Sequence, residues 1–203
     1  KTYIAGRLFF VVFSVFNALY GDTYYVTSTN FSWSSTSTWK KGYFSLTTCP
    51  TTTVTGVVPG AGDTVVLGAP CVTSAVTVTL SSSTTVSALY INGSNGTTAK
   101  VSLFQPASNI TVTASNYLYI KDAVIGRGST TYGRFTLSSS QIDIYGSVTF
   151  NLADFNCSGT ATLKSGANVD IAWITVSIGK YRSFKTTNLV IEQNANFKYT
   201  GRN

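Results

Sequence analysis

The chain has 203 residues, 43% hydrophobic and 13% aromatic, with only 10% charged side chains and a net charge of +7. This is enough chain for one domain with a sizeable core, and its apolar content excludes a disordered polymer. The basic residues are dispersed apart from Lys180, Arg182 and Lys185, which argues against nucleic-acid binding, and the lack of any His removes the commonest general base and metal ligand.

Residues 1–21 carry Lys1 and Arg7, then an apolar run from Leu8 to Phe16, then small and polar residues. This is the order of a secretory signal peptide, with a cut after Gly21, or of a hydrophobic segment that is retained. A buried N-terminal helix is the alternative. The run is shorter than the roughly 20 residues that cross a bilayer, and no other stretch predicts a transmembrane span. The expected location is extracellular or at the cell surface. Residues 22–203 are expected to form one domain, truncated or open at its C-terminal end, because "NFKYTGRN" carries no evident cap.

Five Asn-X-Ser/Thr sequons, at Asn30, Asn92, Asn95, Asn109 and Asn156, are N-glycosylation candidates if the chain is secreted by a eukaryote. The only cysteines are Cys49, Cys71 and Cys157. In an oxidising compartment Cys49 and Cys71 are expected to pair, leaving Cys157 either buried and inert or joined to another chain.

Between those two cysteines lies "VPGAGDTVVL", residues 58–67. A phosphate loop needs a Lys after its last glycine and a helix to follow, and this stretch has neither. A calcium site needs several clustered oxygen ligands, whereas Asp63 stands alone. No metal or cofactor is expected. The stretch reads as a turn, with Pro59 fixing the entry, Gly60 and Gly62 permitting positive φ, and Asp63 accepting backbone N–H bonds before Val65 and Leu67 turn inward.

From there on, short runs of alternating apolar residues are separated by polar turns, as in "VTVTL", "VSALYI", "ITVT", "YLYI" and "QIDIY". A strand-turn-strand phrase recurs from Ile110, Arg134, Thr160 and Arg182, with anchors Leu118, Ile142, Val169 and Leu189 about 20 to 27 residues apart. Such a period, with several strands inside it, predicts a solenoid. The fold class is therefore all-β, a right-handed parallel β-helix of about six or seven coils stacked about 4.8 Å apart. A β-sandwich or jelly roll is the alternative.

Trp39, Gly42, Pro59, Gly62, Asp63, Val65, Leu67, Val76, Val78, Leu89, Ile91 and Gly93 follow an order that resembles the first coils of extracellular β-helix proteins, the G8 domain of cell-surface proteins among them. The resemblance covers about residues 33–93 and departs at the cysteine-bearing insertion. It implies an extracellular structural, adhesive or glycan-associated domain, with no catalytic residues to carry over. Trp33 and Trp39 are candidates to cap the first coil, with the Trp39 indole N–H at the rim.

For chemistry, a glycoside hydrolase needs paired carboxylates, and Asp122, Asp143, Asp154 and Asp170 are the candidates. Asp143 and Asp170 hold the centre of apolar-x-apolar phrases and would stack on one outer face, as a groove or as ordinary solvated residues. Lys121, Asp122 and Arg127 are too generic to indicate a lyase. Tyr90, Tyr117 and Tyr119 alternate with inward Leu and Ile, so they form an outward strip for glycans or another subunit, or cross-strand pairs that stabilise the sheet. The expected function is a secreted or cell-surface structural or adhesive protein, assembling with other subunits or with extracellular polysaccharide in a fibre or coat. The alternatives are a glycan-binding module or a polysaccharide lyase or glycoside hydrolase.

Overall fold

The structure, a computed structural model, describes residues 21–34, 36–93, 101–105, 109–127, 135–151, 153–173 and 184–201. These form β1 (Thr23–Tyr25), β2 (Asn30–Trp33), β3 (Thr38–Gly42), β4 (Thr53–Thr55), β5 (Thr64–Gly68), β6 (Val76–Leu80) and β7 (Thr84–Asn92). Then come β8 (Val101–Gln105), β9 (Ile110–Arg127), β10 (Phe135–Asn151), β11 (Ala153–Leu163), β12 (Asn168–Trp173), β13 (Phe184–Ile191) and β14 (Asn196–Gly201). Among the described residues there is no helix, and every strand pair is parallel except β1–β3 and β3–β4. The architecture is a parallel β-solenoid of about four turns. The sandwich alternative is set aside, since it requires antiparallel sheets.

One coil shows how the chain winds. Within β9, residues 110–114, 117–121 and 123–127 are three strand segments. A register shift separates the first two, and Asp122, at φ 47°, turns the corner before the third. The same corner uses positive φ at Gly68, Gly146, Gly166 and Asn194. At Gly146 (φ 59°) a side chain is excluded twice over, because a Cβ there would collide with the Asp122 carboxylate that accepts the Ser147 N–H at 2.9 Å. Successive corners are fastened to each other in this way.

Alternation does the rest. Val65, Leu89, Leu118, Ile142, Ala161 and Leu189 stand in register as one inward ladder, and Leu67, Ile91, Ile120, Ile144, Leu163 and Ile191 as the next. Most are fully buried, each contributing about 1.5–3 kcal/mol of apolar burial. Phe155 and Phe184 stack face to face at 4.2 Å as the first segments of their coils close on the core.

Two expectations change here. Val169 does not share the ladder of Leu118 and Ile142; it pairs with Val148 and Phe197 beyond the corner, and the true anchor is Ala161. The solenoid is one of about four turns rather than six or seven coils, and residues 38–55 form an antiparallel pair rather than a coil.

That pair closes the N-terminal end. Trp39, on β3, is fully buried, with its ring 4.5 Å from Phe31, 5.5 Å from Trp33 and 6.3 Å from Tyr24. The expected rim position of its indole N–H is corrected, because the Nε1 atoms of both Trp33 and Trp39 are buried with no hydrogen-bond partner. Trp39, on antiparallel β3, and Trp33, on β2 parallel to β6, both lie wholly inside the aromatic cluster.

Candidate functional site

The "VPGAGDTVVL" turn holds itself without a ligand. Asp63 Oδ2 accepts the Gly60 N–H at 2.7 Å, and its Oδ1 accepts the Asp22 N–H at 3.0 Å, tying the turn to the start of β1. Gly60 and Gly62 do not adopt positive φ, contrary to the sequence expectation; the residue in this stretch's path that does is Gly68, at the first corner. There a side chain would run into the Asn92 backbone and the Val101 side chain.

Cys49 and Cys71 form a disulfide, closing 22 residues of chain. It anchors the loop between β3 and β4 against the outside of the first coil. Beneath that loop Tyr25 and Val66, outward-pointing residues in register, are fully buried. The Tyr25 hydroxyl donates to Tyr43 O at 2.8 Å and accepts the Ser45 N–H at 2.7 Å. Cys157 is buried and unpaired, its Sγ 3.6 Å from Ser140 O.

The outward tyrosines form a continuous stack. Phe44 of the loop meets Tyr90 at 4.5 Å, Tyr90 meets Tyr119 at 5.7 Å, and Tyr119 meets Tyr145 at 4.8 Å, with interplanar angles of 41°, 32° and 32°. Tyr117 lies beside Tyr90 at 5.6 Å. With such angles the ring faces turn toward one another along the solenoid axis. The rings pair with one another across neighbouring strands and are each half-buried.

A polar chain continues the stripe. The Tyr117 hydroxyl donates to Asp143 Oδ2 at 2.8 Å, Lys164 Nζ lies 3.8 Å from Asp143 Oδ1, and the same ammonium donates to Glu192 Oε1 at 3.1 Å. Lys164 and the Ser165 N–H hold the Glu192 carboxyl below its usual range, and the Glu192 hydrogen bond holds Lys164 above its own. Asp143 and Asp170 do not stack on one face. Asp143 is in register with Tyr119 and Thr162, whereas Asp170, past the corner, is in register with Thr149 and Lys198. The paired-carboxylate arrangement of a hydrolase is absent from these two residues, and Asp170 accepts a hydrogen bond from Thr200.

This stripe is expected to make the fold sensitive to alkaline pH. Burial, chiefly, raises the phenols of Tyr90, Tyr117 and Tyr145, and pushes Tyr119 up to about 12. An unfolded tyrosine ionises near 10, so the folded chain holds more protons above that pH. Stability is thus intact below pH 10 and falls as pH rises from 10 toward the folded values. A spectroscopic alkaline titration should show tyrosinate absorbance rising steeply only as the β circular-dichroism signal is lost, and Tyr119→Phe should shift that loss to higher pH. Ionisation of all phenols near pH 10 with the fold intact would contradict this.

Of the sequons, Asn30 is exposed at the start of β2. Asn92 is 6% exposed and its Nδ2 donates to Ala69 O at 2.9 Å. Asn95 lies outside the described residues. Asn109 and Asn156, also exposed, stand 47 residues apart in sequence yet line one cavity of about 320 Å³.

Thr111, Thr136 and Asp154 are in register on its wall, Asn156 and Lys185 pair beside them, and buried Ile110 contributes an apolar surface. Sequence reasoning named Asp154 only as one carboxylate of four, because its alignment with Thr111 and Thr136 depends on starting a coil at Ala153. Among the described residues no group of His, Cys, Asp and Glu could hold a metal ion, and no helix is long and apolar enough to cross a membrane. Comparison with protein-family models, curated proteins and solved structures finds no match to this chain.

Proposed function

We propose that the chain is a secreted or cell-surface structural β-helix subunit that joins a second copy through its last coil. One observation carries this reading. Leu189, Val190, Ile191, Phe197 and Tyr199 are 39–61% exposed, although four of them continue inward ladders whose described earlier members are buried. Among the described residues β13 pairs only with β11, and β14 only with β12, so each presents an unpaired backbone edge. A long apolar edge of this kind is a template for another strand. The opposite end differs: β4 is a three-residue antiparallel strand with no parallel register to offer an eight-residue β13. Like edges therefore meet, which favours a closed two-fold pair over an end-to-end fibre.

The disulfide, the exposed sequons and the apolar leader-like N-terminus support an oxidising, extracellular setting. The likeness of residues 33–93 to G8 first coils supports an adhesive role in that setting. Sedimentation velocity over a wide concentration range tests the assembly. The wild-type chain should sediment as a dimer and Ile191→Lys as a monomer with an unchanged melting temperature. A wild-type monomer at every concentration overturns the reading and leaves the edge to a further segment of the same polypeptide.

A further inference from the structure

The outward tyrosine stripe stands apart from the open edge, and it gathers the groups of this chain that an oxidant can use. The sequence has no Met and no His. The cysteine outside the disulfide, Cys157, is buried, and so are the indoles of Trp33 and Trp39. Thiols and thioethers, which peroxides attack first, are thus missing, bonded or enclosed. Phenols remain at the surface, and Tyr90, Tyr117, Tyr119 and Tyr145 bring theirs together on one face, each half-buried. Tyr43 and Tyr199 are more exposed, but among the described residues neither ring meets another tyrosine.

Within the stripe one pair is set apart. Tyr119 and Tyr145 have ring centroids 4.8 Å apart at 32°, the closest tyrosine pair among the described residues. Tyr145 stands on the next coil, two residues beyond Asp143, the register partner of Tyr119. Carbon atoms touch at about 3.5–4.0 Å, so rings at this separation and tilt are in contact. The other two rings are held differently. The Tyr117 hydroxyl is fixed on Asp143 at 2.8 Å and its ring is turned 56° from Tyr90, while Phe44 covers Tyr90 at 4.5 Å.

We infer that Tyr119 and Tyr145 form an oxidative coupling site, where a peroxide acting through a one-electron oxidant joins them as a dityrosine that ties two consecutive coils. Each phenol gives up one electron and its hydroxyl proton. The two phenoxyl radicals combine at carbons ortho to their oxygens, where the unpaired spin is shared. One carbon–carbon bond forms, the two ortho hydrogens move as protons to the oxygens, and both hydroxyls are restored. Hydrogen peroxide takes up the two electrons and two protons and leaves as two waters. Strand register holds the rings together beforehand, so the coupling is unimolecular in protein and gains a high effective concentration. The bond fastens β9 to β10 from outside, as the Cys49–Cys71 bridge fastens the loop over the first coil.

The test treats the disulfide-bonded chain, at low concentration, with hydrogen peroxide and a haem peptide small enough to approach the stripe. The single-chain product should be lighter by two hydrogens and show the blue fluorescence of dityrosine, and peptide mapping should join Tyr119 to Tyr145. Its yield should not depend on protein concentration, and the urea-unfolded chain should give about tenfold less. The coupled chain should melt at a higher temperature than the parent. Tyr145→Phe and Tyr119→Phe, each shown by circular dichroism to be folded, should abolish the product. Tyr117→Phe, and Tyr43→Phe with Tyr199→Phe, should leave it. A folded chain that yields no dityrosine overturns the site, as does coupling mapped to other tyrosines or confined to covalent dimers through Tyr43 or Tyr199. A yield that survives unchanged in folded Tyr145→Phe does the same. Coupling at these two rings with no gain in melting temperature overturns the fastening of the coils.

Discussion

Replacing Trp39 by alanine is expected to destabilise the fold by about 3–5 kcal/mol, the largest effect of any single side chain at the N-terminal end. The indole is fully buried and joins three rings from β1 and β2, so truncation leaves a cavity that rigid strands cannot close. Part of what the indole contributes is already offset, because its N–H is buried without a partner, at a cost of about 1–3 kcal/mol. Trp39→Phe should therefore lose much less than Trp39→Ala, since it keeps most of the ring and removes the orphan donor. Urea denaturation of the two variants measures both. A Trp39→Ala loss under 1 kcal/mol would mean that β3 does not seal the core.

The second large effect belongs to the disulfide. Closing 22 residues restricts the unfolded chain by about 3 kcal/mol in the chain-entropy account. Cys49→Ser with Cys71→Ser should lose that amount, and it should also free the loop that covers Tyr25 and Val66. Two readouts separate the contributions: the denaturation midpoint reports the whole loss, and protease cutting within residues 43–52 reports the uncovered loop. A double variant as stable and as protease-resistant as the parent would show that the Tyr25 hydrogen bonds alone hold the loop.

The repeating architecture was legible in the sequence because period-two alternation and recurring turns leave a direct trace. Leu118, Ile142 and Leu189 fall in one ladder as their spacing suggested. Val169 misled because the coil that begins at Ala153 puts Ala161 at the anchor position, a residue too small to look like core, and then offers an apolar phrase just past the corner. The same slip put Asp170 beside Asp143 and hid the alignment of Asp154 with Thr136. Corners are the weak point of sequence reading here, since Asp122, Gly146, Gly166 and Asn194 share a backbone conformation without sharing a residue type. The cavity was invisible for a related reason: its residues come from four coil starts, and only strand register brings them together.

Coil stacking also explains the contrast between the two ends. At the start, an antiparallel pair, two indoles and a disulfide-held loop cover the apolar ladders. At the last coil the ladders run on into exposed Leu189, Ile191, Phe197 and Tyr199. Hydrogen exchange followed by mass spectrometry, at low and high protein concentration, tests the proposed joint most directly. Amides of residues 184–191 and 196–201 should become protected as concentration rises, while those of β3 and β4 stay unchanged. Exchange in the last coil that is independent of concentration, or protection gained at the β3–β4 end instead, would contradict assembly through the open edge.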